Sequence, residues 1–209
     1  MPPTGSRSPQ NYELQYATNI LGPFLFTKLL LPILRSTAES ASKSSVRVSW
    51  AGSLGIDFGS PKGGATFKTN GIPEDFDGGG VAYATSKAAN FFLGYEFGRR
   101  YGNRDGVLHD SFNPGNLDSQ LQRHARATMG ETFISVLAYL LCYQPIFGAY
   151  TEIYAGLSQD LAIEHDQGAY IVPWGRKSTV RPDIVAQLGE GKNSEKLWEW
   201  CERETRQYA

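Results

Sequence analysis

Apolar side chains crowd residues 11–35 so densely that Leu14, Ile20, Leu21, Phe24, Leu25, Leu29, Leu30, Ile33 and Leu34 cover most of a helical surface. A helix apolar nearly all round is either buried or packed against a partner chain. A Ser-rich polar turn at 38–45 ends it. Residues 46–51 then read as a short β-rich strand running into Gly52-Ser53-Leu54-Gly55. Residues 56–80 are glycine-punctuated and predict a loop. The pattern returns to helix at 82–101, with Ala88, Ala89, Phe91, Phe92 and Phe97 as packing residues. A second strand is expected at 107–112, stopped by Asn113-Pro114-Gly115. Asp110 does not fit that strand's apolar pattern. The segment 117–130 is polar and reads as a loop or short helix. Helices follow at 132–144 and 151–163, a third strand at 169–173, and an amphipathic helix at 194–206 carrying Leu197, Trp198, Trp200 and Cys201. Helix, strand, helix, strand, helices, strand is the rhythm of an α/β protein with a parallel sheet. About three strands with flanking helices are expected, in a single domain spanning 1–209.

Composition changes this picture little. A net charge of −1 gives no basic surplus for nucleic acid and no acidic block for a disordered tail. Cys142 and Cys201 lie far apart and form no metal-ligand spacing, so no metal is expected and two reduced thiols are. The run 20–34 is apolar, but it is interrupted by Lys28, Pro23 and Pro32 and is too short to span a bilayer. The apolar stretch 133–150 is broken by Gln144, Pro145 and Gly148 and suits a buried or site-lining helix better than a membrane. A soluble, cytoplasmic chain is the expectation.

Chemistry concentrates in Tyr83-Ala-Thr-Ser-Lys87. Residues four apart on a helix share a face, one turn from each other. A free phenol ionises near ~10 and exchanges protons poorly at neutral pH, and an adjacent ammonium stabilises the phenolate. Such a pair also occurs by chance on many helices. Ser53 lies just past a strand, where its hydroxyl can hold a substrate oxygen or merely make a turn after Gly52. Asn19 is a polar side chain in apolar company and needs a partner, catalytic or structural. Pro114-Gly115 brings backbone close to an occupant of the cleft, or makes a tight exit from the sheet.

In order and spacing, Asn19, Ser53, Tyr83-x-x-x-Lys87 and Pro114-Gly115 resemble the short-chain dehydrogenase/reductase family. Residues 11–27 resemble the helix after that family's fourth strand, and 46–53 its fifth strand and active-site serine. Residues 114–121 resemble its Pro-Gly loop, with Ser119 where a threonine touching the cofactor is usual. The tail segments Gly148-Ala-Tyr-Thr-Glu152 and 168–176, with the long insertion between Ser53 and Tyr83, resemble a retinol-dehydrogenase-like branch common in filamentous fungi. The resemblance implies a partial Rossmann-like, doubly wound parallel sheet and an oxidoreductase. Its reaction would interconvert an alcohol and a carbonyl on a small, lipophilic or secondary-metabolite substrate, with NADP or NAD.

Roles follow residue by residue from the resemblance. Tyr83 is the general acid/base, Lys87 supports its ionisation and bonds the nicotinamide ribose, Ser53 holds the substrate oxygen, and Asn19 anchors a water relay to Lys87. Pro114, Gly115 and Ser119 would lie beside the cofactor, with Tyr83 and Lys87 also touching it. The family's glycine-rich Thr-Gly-x-x-x-Gly-x-Gly turn, with the residue that chooses between NAD and NADP, is not in the sequence. Gly78-Gly79-Gly80 follows no strand and is no substitute. Of the family's strand order 3-2-1-4-5-6-7 only strands five to seven are expected, leaving strand five an unpaired edge. A homodimer through helices 11–35 and 82–101 is a candidate assembly. A catalytically silent remnant acting as a binding protein is the alternative function.

Overall fold

The computed structural model describes residues 2–76, 79–119 and 140–209. Its centre is a sheet of β1 (Arg47–Ala51), β2 (Leu108–Phe112), β3 (Tyr170–Val172) and β4 (Arg176–Ser178), in that spatial order. The first three strands run parallel and β4 returns antiparallel to β3. Parallel neighbours need long crossovers, which helices supply. The main helices are α1 (Leu14–Ala38), α2 (Gly55–Gly59), α3 (Gly79–Phe97), α4 (Pro145–Leu157), α5 (Pro182–Val185) and α6 (Asn193–Thr205).

Helices cover both faces of the sheet. Trp50 and Tyr170 join α1, α3 and α6 in one apolar cluster, while Leu108, Phe112 and Ile171 join Ala155 of α4 and Leu161 in another. This is the doubly wound, partial Rossmann-like arrangement expected, with one strand more than anticipated. The extra strand, Arg176–Ser178, is polar and exposed throughout, so it carries no alternation to read. Among the described residues β1 is an edge, paired only with β2.

Helix α3 is buried on almost every side because small residues let it approach the sheet. A β-carbon on Gly94 would lie 3.1 Å from Cδ1 of Trp50 and 3.2 Å from the Asp110 carbonyl oxygen, tighter than packing normally tolerates. Helix α1 begins where the Glu13 carboxylate accepts the Tyr16 amide at 2.9 Å. Residues Ala17–Leu21 within it form a π-helical turn. Pro23 gives the cause: it has no N–H, so the carbonyl of Asn19 loses its usual donor four residues on.

The apolar girdle of α1 is only half covered. Ile20, Leu21, Phe24 and Thr27 are buried, whereas Phe26, Leu29 and Ile33 are 64%, 55% and 60% exposed. At 25 residues α1 is long and apolar enough to cross a membrane by length and composition. The expectation of too short a span counted only the run 20–34. Helix α6 lies across α1 and α3: Trp198 meets Phe24 at 4.9 Å and Phe97 at 4.7 Å, and Trp200 meets Tyr12 and Tyr16 edge-on. The surface between helices 11–35 and 82–101 is therefore filled by the chain's own α6. The exposed stripe of α1 is the part of those helices left for any assembly.

Other boundaries moved for local reasons. Residues 56–80 contain the short helix α2. The expected helix 151–163 is α4, which starts at Pro145, a residue suited to a first helical turn, and stops at Leu157. Most of the expected helix 132–144 and loop 117–130 lie outside the described residues. Arg47 ties β1 to the end of α4, donating to the carbonyls of Ala155, Ser158 and Leu161 at 3.2, 2.7 and 3.3 Å.

Asp110 now has an account. It sits opposite Ser49 in the β1–β2 register and accepts the Ser49 hydroxyl at 3.2 Å. Burial pushes its carboxyl up to about 7. Burial in the strand disfavours the charged carboxylate at that position.

Candidate active site

The carboxyl ends of β1, β2 and β3 point to one edge of the sheet, and the sequence-predicted residues gather there. Ser53 follows β1 and its Oγ accepts the Gly55 amide at 3.0 Å, which fixes the hydroxyl at the mouth of the turn into α2. Tyr83 and Lys87 stand one turn apart on α3. A β-carbon placed on Gly55 would lie 3.4 Å from Ser53 Oγ and 3.5 Å from Cε1 of Tyr83. The serine hydroxyl and the phenol ring thus border one small space, kept open by a glycine.

Lys87 turns its ammonium inward. Nζ lies 5.8 Å from the centre of the Tyr83 ring and donates to the Ala51 carbonyl at 2.9 Å. Burial pushes the ammonium below its ordinary pKa, a sign of a cation held at a partly dry site. Asn90, one turn further along α3, donates to the same carbonyl at 2.9 Å. Two donors therefore share the last carbonyl of the edge strand. Sequence reasoning passed over Asn90, and its spacing of three from Lys87 is the signal that could have found it.

Asn19 lies at the centre of the π-helical turn of α1, and its amide donates to Ser86 Oγ at 3.0 Å. Ser86 in turn donates to the Tyr83 carbonyl at 2.7 Å. The amide therefore ties α1 to the turn of α3 that carries the tyrosine. Asn19, Ala51, Lys87 and Asn90 also line one groove of about 480 Å³ between α1 and the open edge of β1.

Beyond β2, Asn113 is buried and its Oδ1 accepts the Gly115 amide at 2.9 Å. Gly115 has φ +102, and a β-carbon there would meet Pro173 Cγ at 3.0 Å. Only glycine fits, because the side-chain position is taken by Pro173 and Trp174. Pro114 and Gly115 are thus brought to the same sheet edge as Ser53. Ser119 is half-buried, at the last described position before residue 140.

The residues present suit one half of a nicotinamide cofactor. A half-buried ammonium at the end of β1 and a glycine after β2, both at one sheet edge, suit a ribose hydroxyl and a flat ring. A glycine-rich turn between a strand and a helix, which would receive the pyrophosphate, is not in the sequence.

No family model matches the chain. It is 41% identical over 214 residues to a short-chain dehydrogenase/reductase of Phomopsis amygdali, covering 99% of this chain and 62% of the relative. A protein of the same name from Pestalotiopsis fici is 39% identical, over 96% of this chain and 60% of its own length. One from Emericella nidulans is 35% identical, over 99% and 64%. Among solved structures, an uncharacterized protein from Mycobacterium paratuberculosis superposes with a TM-score of 0.62 at 21% identity, covering 98% of this chain and 63% of that one. That likeness shows the fold. The chain spans about three fifths of the length of these curated relatives. With a Rossmann-like sheet and curated relatives of one name matching it nearly end to end, the chain belongs to the short-chain dehydrogenase/reductase family.

Proposed function

We propose that this chain carries the acid–base half of an oxidoreductase that interconverts an alcohol and a carbonyl with NADP or NAD. The observation that supports it is the common space bordered by Ser53 Oγ and the Tyr83 ring, with the Lys87 ammonium behind the ring. In this reading the substrate oxygen enters that space. Ser53 holds it by hydrogen bond and polarises it. Tyr83 gives its phenolic proton to the oxygen in reduction and takes it back in oxidation. Lys87 keeps a positive charge beside the phenol, so the proton leaves without building an isolated anion in a partly buried site. Asn19, through Ser86, holds the turn of α3 that bears Tyr83 in place. A nicotinamide cofactor, when bound, supplies or accepts the hydride, and Lys87, Pro114, Gly115 and Ser119 are the residues that would hold its nicotinamide end.

The substrate is taken to be small and lipophilic, as the resemblance implies, and the setting cytoplasmic. The test is titration of the 209-residue chain with NADH and NADPH, following nicotinamide fluorescence, alongside a Lys87→Met variant. Saturable binding weakened by Lys87→Met supports the reading. A folded chain that binds neither nucleotide turns it toward the alternative, a catalytically silent protein that works by binding.

A further inference from the structure

Three chain segments converge beside Gly115 without any role in the proton chemistry above. They are the Pro114–Gly115 turn after β2, the start of α4 with the residues before it, and the Pro173–Trp174 turn after β3. The Trp174 indole would be 3.5 Å from a β-carbon on Gly115. It meets Tyr143 edge-on at 5.0 Å and Phe147 at 5.3 Å, and Tyr143 meets Phe147 at 6.0 Å. These three rings form a closed triangle drawn from two distant parts of the sequence.

The triangle is fixed from behind. Arg176 donates from Nε and a terminal nitrogen to the Pro173 carbonyl at 2.8 and 2.5 Å, holding the turn. Gly175 follows with φ +66, and a β-carbon there would strike the Tyr154 ring at 2.8 Å. Asn116 and Asp118 bond the backbone around residues 141–143 to the loop after Gly115, so Tyr143 moves with that loop. Yet the rings are not core: Trp174 is 39%, Phe147 37% and Tyr143 53% exposed. Of the four tryptophans, Trp50, Trp198 and Trp200 are buried, and Trp174 alone presents part of its ring.

Position gives the wall its use. It stands at the carboxyl ends of β2 and β3, while Ser53 follows β1. The strands are parallel, so both lie at the same carboxyl edge of the sheet, Tyr83 on the helix layer of α3 and the wall at the start of α4 on the other layer. A ring-bearing molecule whose oxygen sits at Ser53 and Tyr83 and which reaches across that edge meets the wall. Fixed aromatic faces favour other flat rings through stacked or edge-on contact, beyond what simple burial gives a flexible alkyl chain.

We infer that Trp174 is a specificity-determining residue, and that with Tyr143 and Phe147 it selects substrates bearing a planar, apolar ring near the reacting oxygen. This rests on the oxidoreductase reading for the reaction, but the wall's selectivity is a binding property and is measured without turnover.

The probes are 2-naphthol, a ring-bearing alcohol, and 1-octanol, a flexible one, observed by saturation-transfer NMR on the 209-residue chain. Wild type is expected to bind 2-naphthol saturably and more tightly than 1-octanol. Trp174→Ala weakens 2-naphthol by about tenfold and leaves 1-octanol nearly unchanged. Trp174→Phe restores most of the difference, and Phe147→Leu, which keeps bulk but no ring, falls between. Circular dichroism and thermal melting confirm that each variant is folded. No saturable 2-naphthol binding by wild type, equal binding by Trp174→Ala, or no preference over 1-octanol overturns the inference. Failure of the oxidoreductase reading appears elsewhere, as a Tyr83→Phe chain that loses no turnover.

Discussion

Ser53 Oγ and the Tyr83 ring both border one position, the place where a side chain on Gly55 would begin, 3.4 Å from the oxygen and 3.5 Å from the ring. Those are ordinary contact distances, so a methyl group fits. Gly55→Ala is therefore expected to fold, with stability altered by no more than about 1 kcal/mol, since Ala is the better helix former at the start of α2. The methyl takes the space in which a substrate oxygen must reach both groups, and turnover falls at least about tenfold for a reacting atom displaced by a fraction of an ångström. Thermal melting beside steady-state kinetics checks both halves.

Two neighbouring residues on β2 give opposed pH dependences. Asp110 is pushed up from 3.8 to about 7 by burial. The folded state keeps a proton that the unfolded chain has released, so Asp110 alone makes stability fall as pH rises from about 4 to 7. His109 is stacked on Phe97 and burial pushes it down from 6.5 to about 3. The unfolded chain takes a proton that the folded state refuses, so His109 alone makes stability rise with pH between about 3 and 6.5. Each contributes on the order of 1 kcal/mol per pH unit, and they oppose each other between about pH 4 and 6.5. Urea unfolding of wild type should show little slope there. Asp110→Asn should unmask the rise due to His109, and a flat profile in that variant would refute the assignment.

Glu96 is buried on α3 and ties it to α6. Its Oε2 accepts Arg99 at 2.7 and 3.1 Å and Arg100 at 2.9 Å, while Oε1 accepts the Ser194 hydroxyl at 2.7 Å. Charged hydrogen bonds of this kind contribute more than neutral ones. Glu96→Gln keeps the shape and removes the charge, with an expected loss of about 2–3 kcal/mol by chemical denaturation. Surface pairs such as Arg203–Glu204 should contribute under about 1 kcal/mol.

Trp200 on α6 is 2% exposed and packs against Tyr12 and Tyr16. Trp200→Ala removes the largest buried ring between α6 and the start of α1, at a cost of about 3–5 kcal/mol. Loss of the near-ultraviolet circular dichroism signal at lower denaturant would register it.

Much of this architecture was legible in the chain. Helices α1, α3 and α6 follow from apolar residues recurring over several turns, and the three parallel strands from short segments bounded by glycine, proline and asparagine. Tyr83 and Lys87 were legible because a spacing of four on a helix dictates a shared face. What escaped was set by tertiary contact. The strand Arg176–Ser178 is all polar and exists through pairing with β3. Gly55 reads as one glycine among many until Ser53 and Tyr83 are seen beside it. Asn90 matters through a carbonyl contributed 39 residues away. Trp174 directly follows the third strand in sequence and joins an aromatic wall only once α4 lies beside it. Asp110 breaks its strand's apolar pattern, and its partner, Ser49, comes from the neighbouring strand.

The central claim is that Tyr83 moves the proton in a nicotinamide-dependent reaction. The direct measurement is NADPH- and NADH-dependent reduction of a panel of ring-bearing ketones by the 209-residue chain, compared with Tyr83→Phe, which removes only the phenolic oxygen. The account expects turnover in wild type and a loss of about 10²–10⁴-fold in the variant, with nucleotide binding unchanged. Equal turnover in the two proteins, or a wild-type chain that binds nucleotide and reduces none of the ketones, would contradict it.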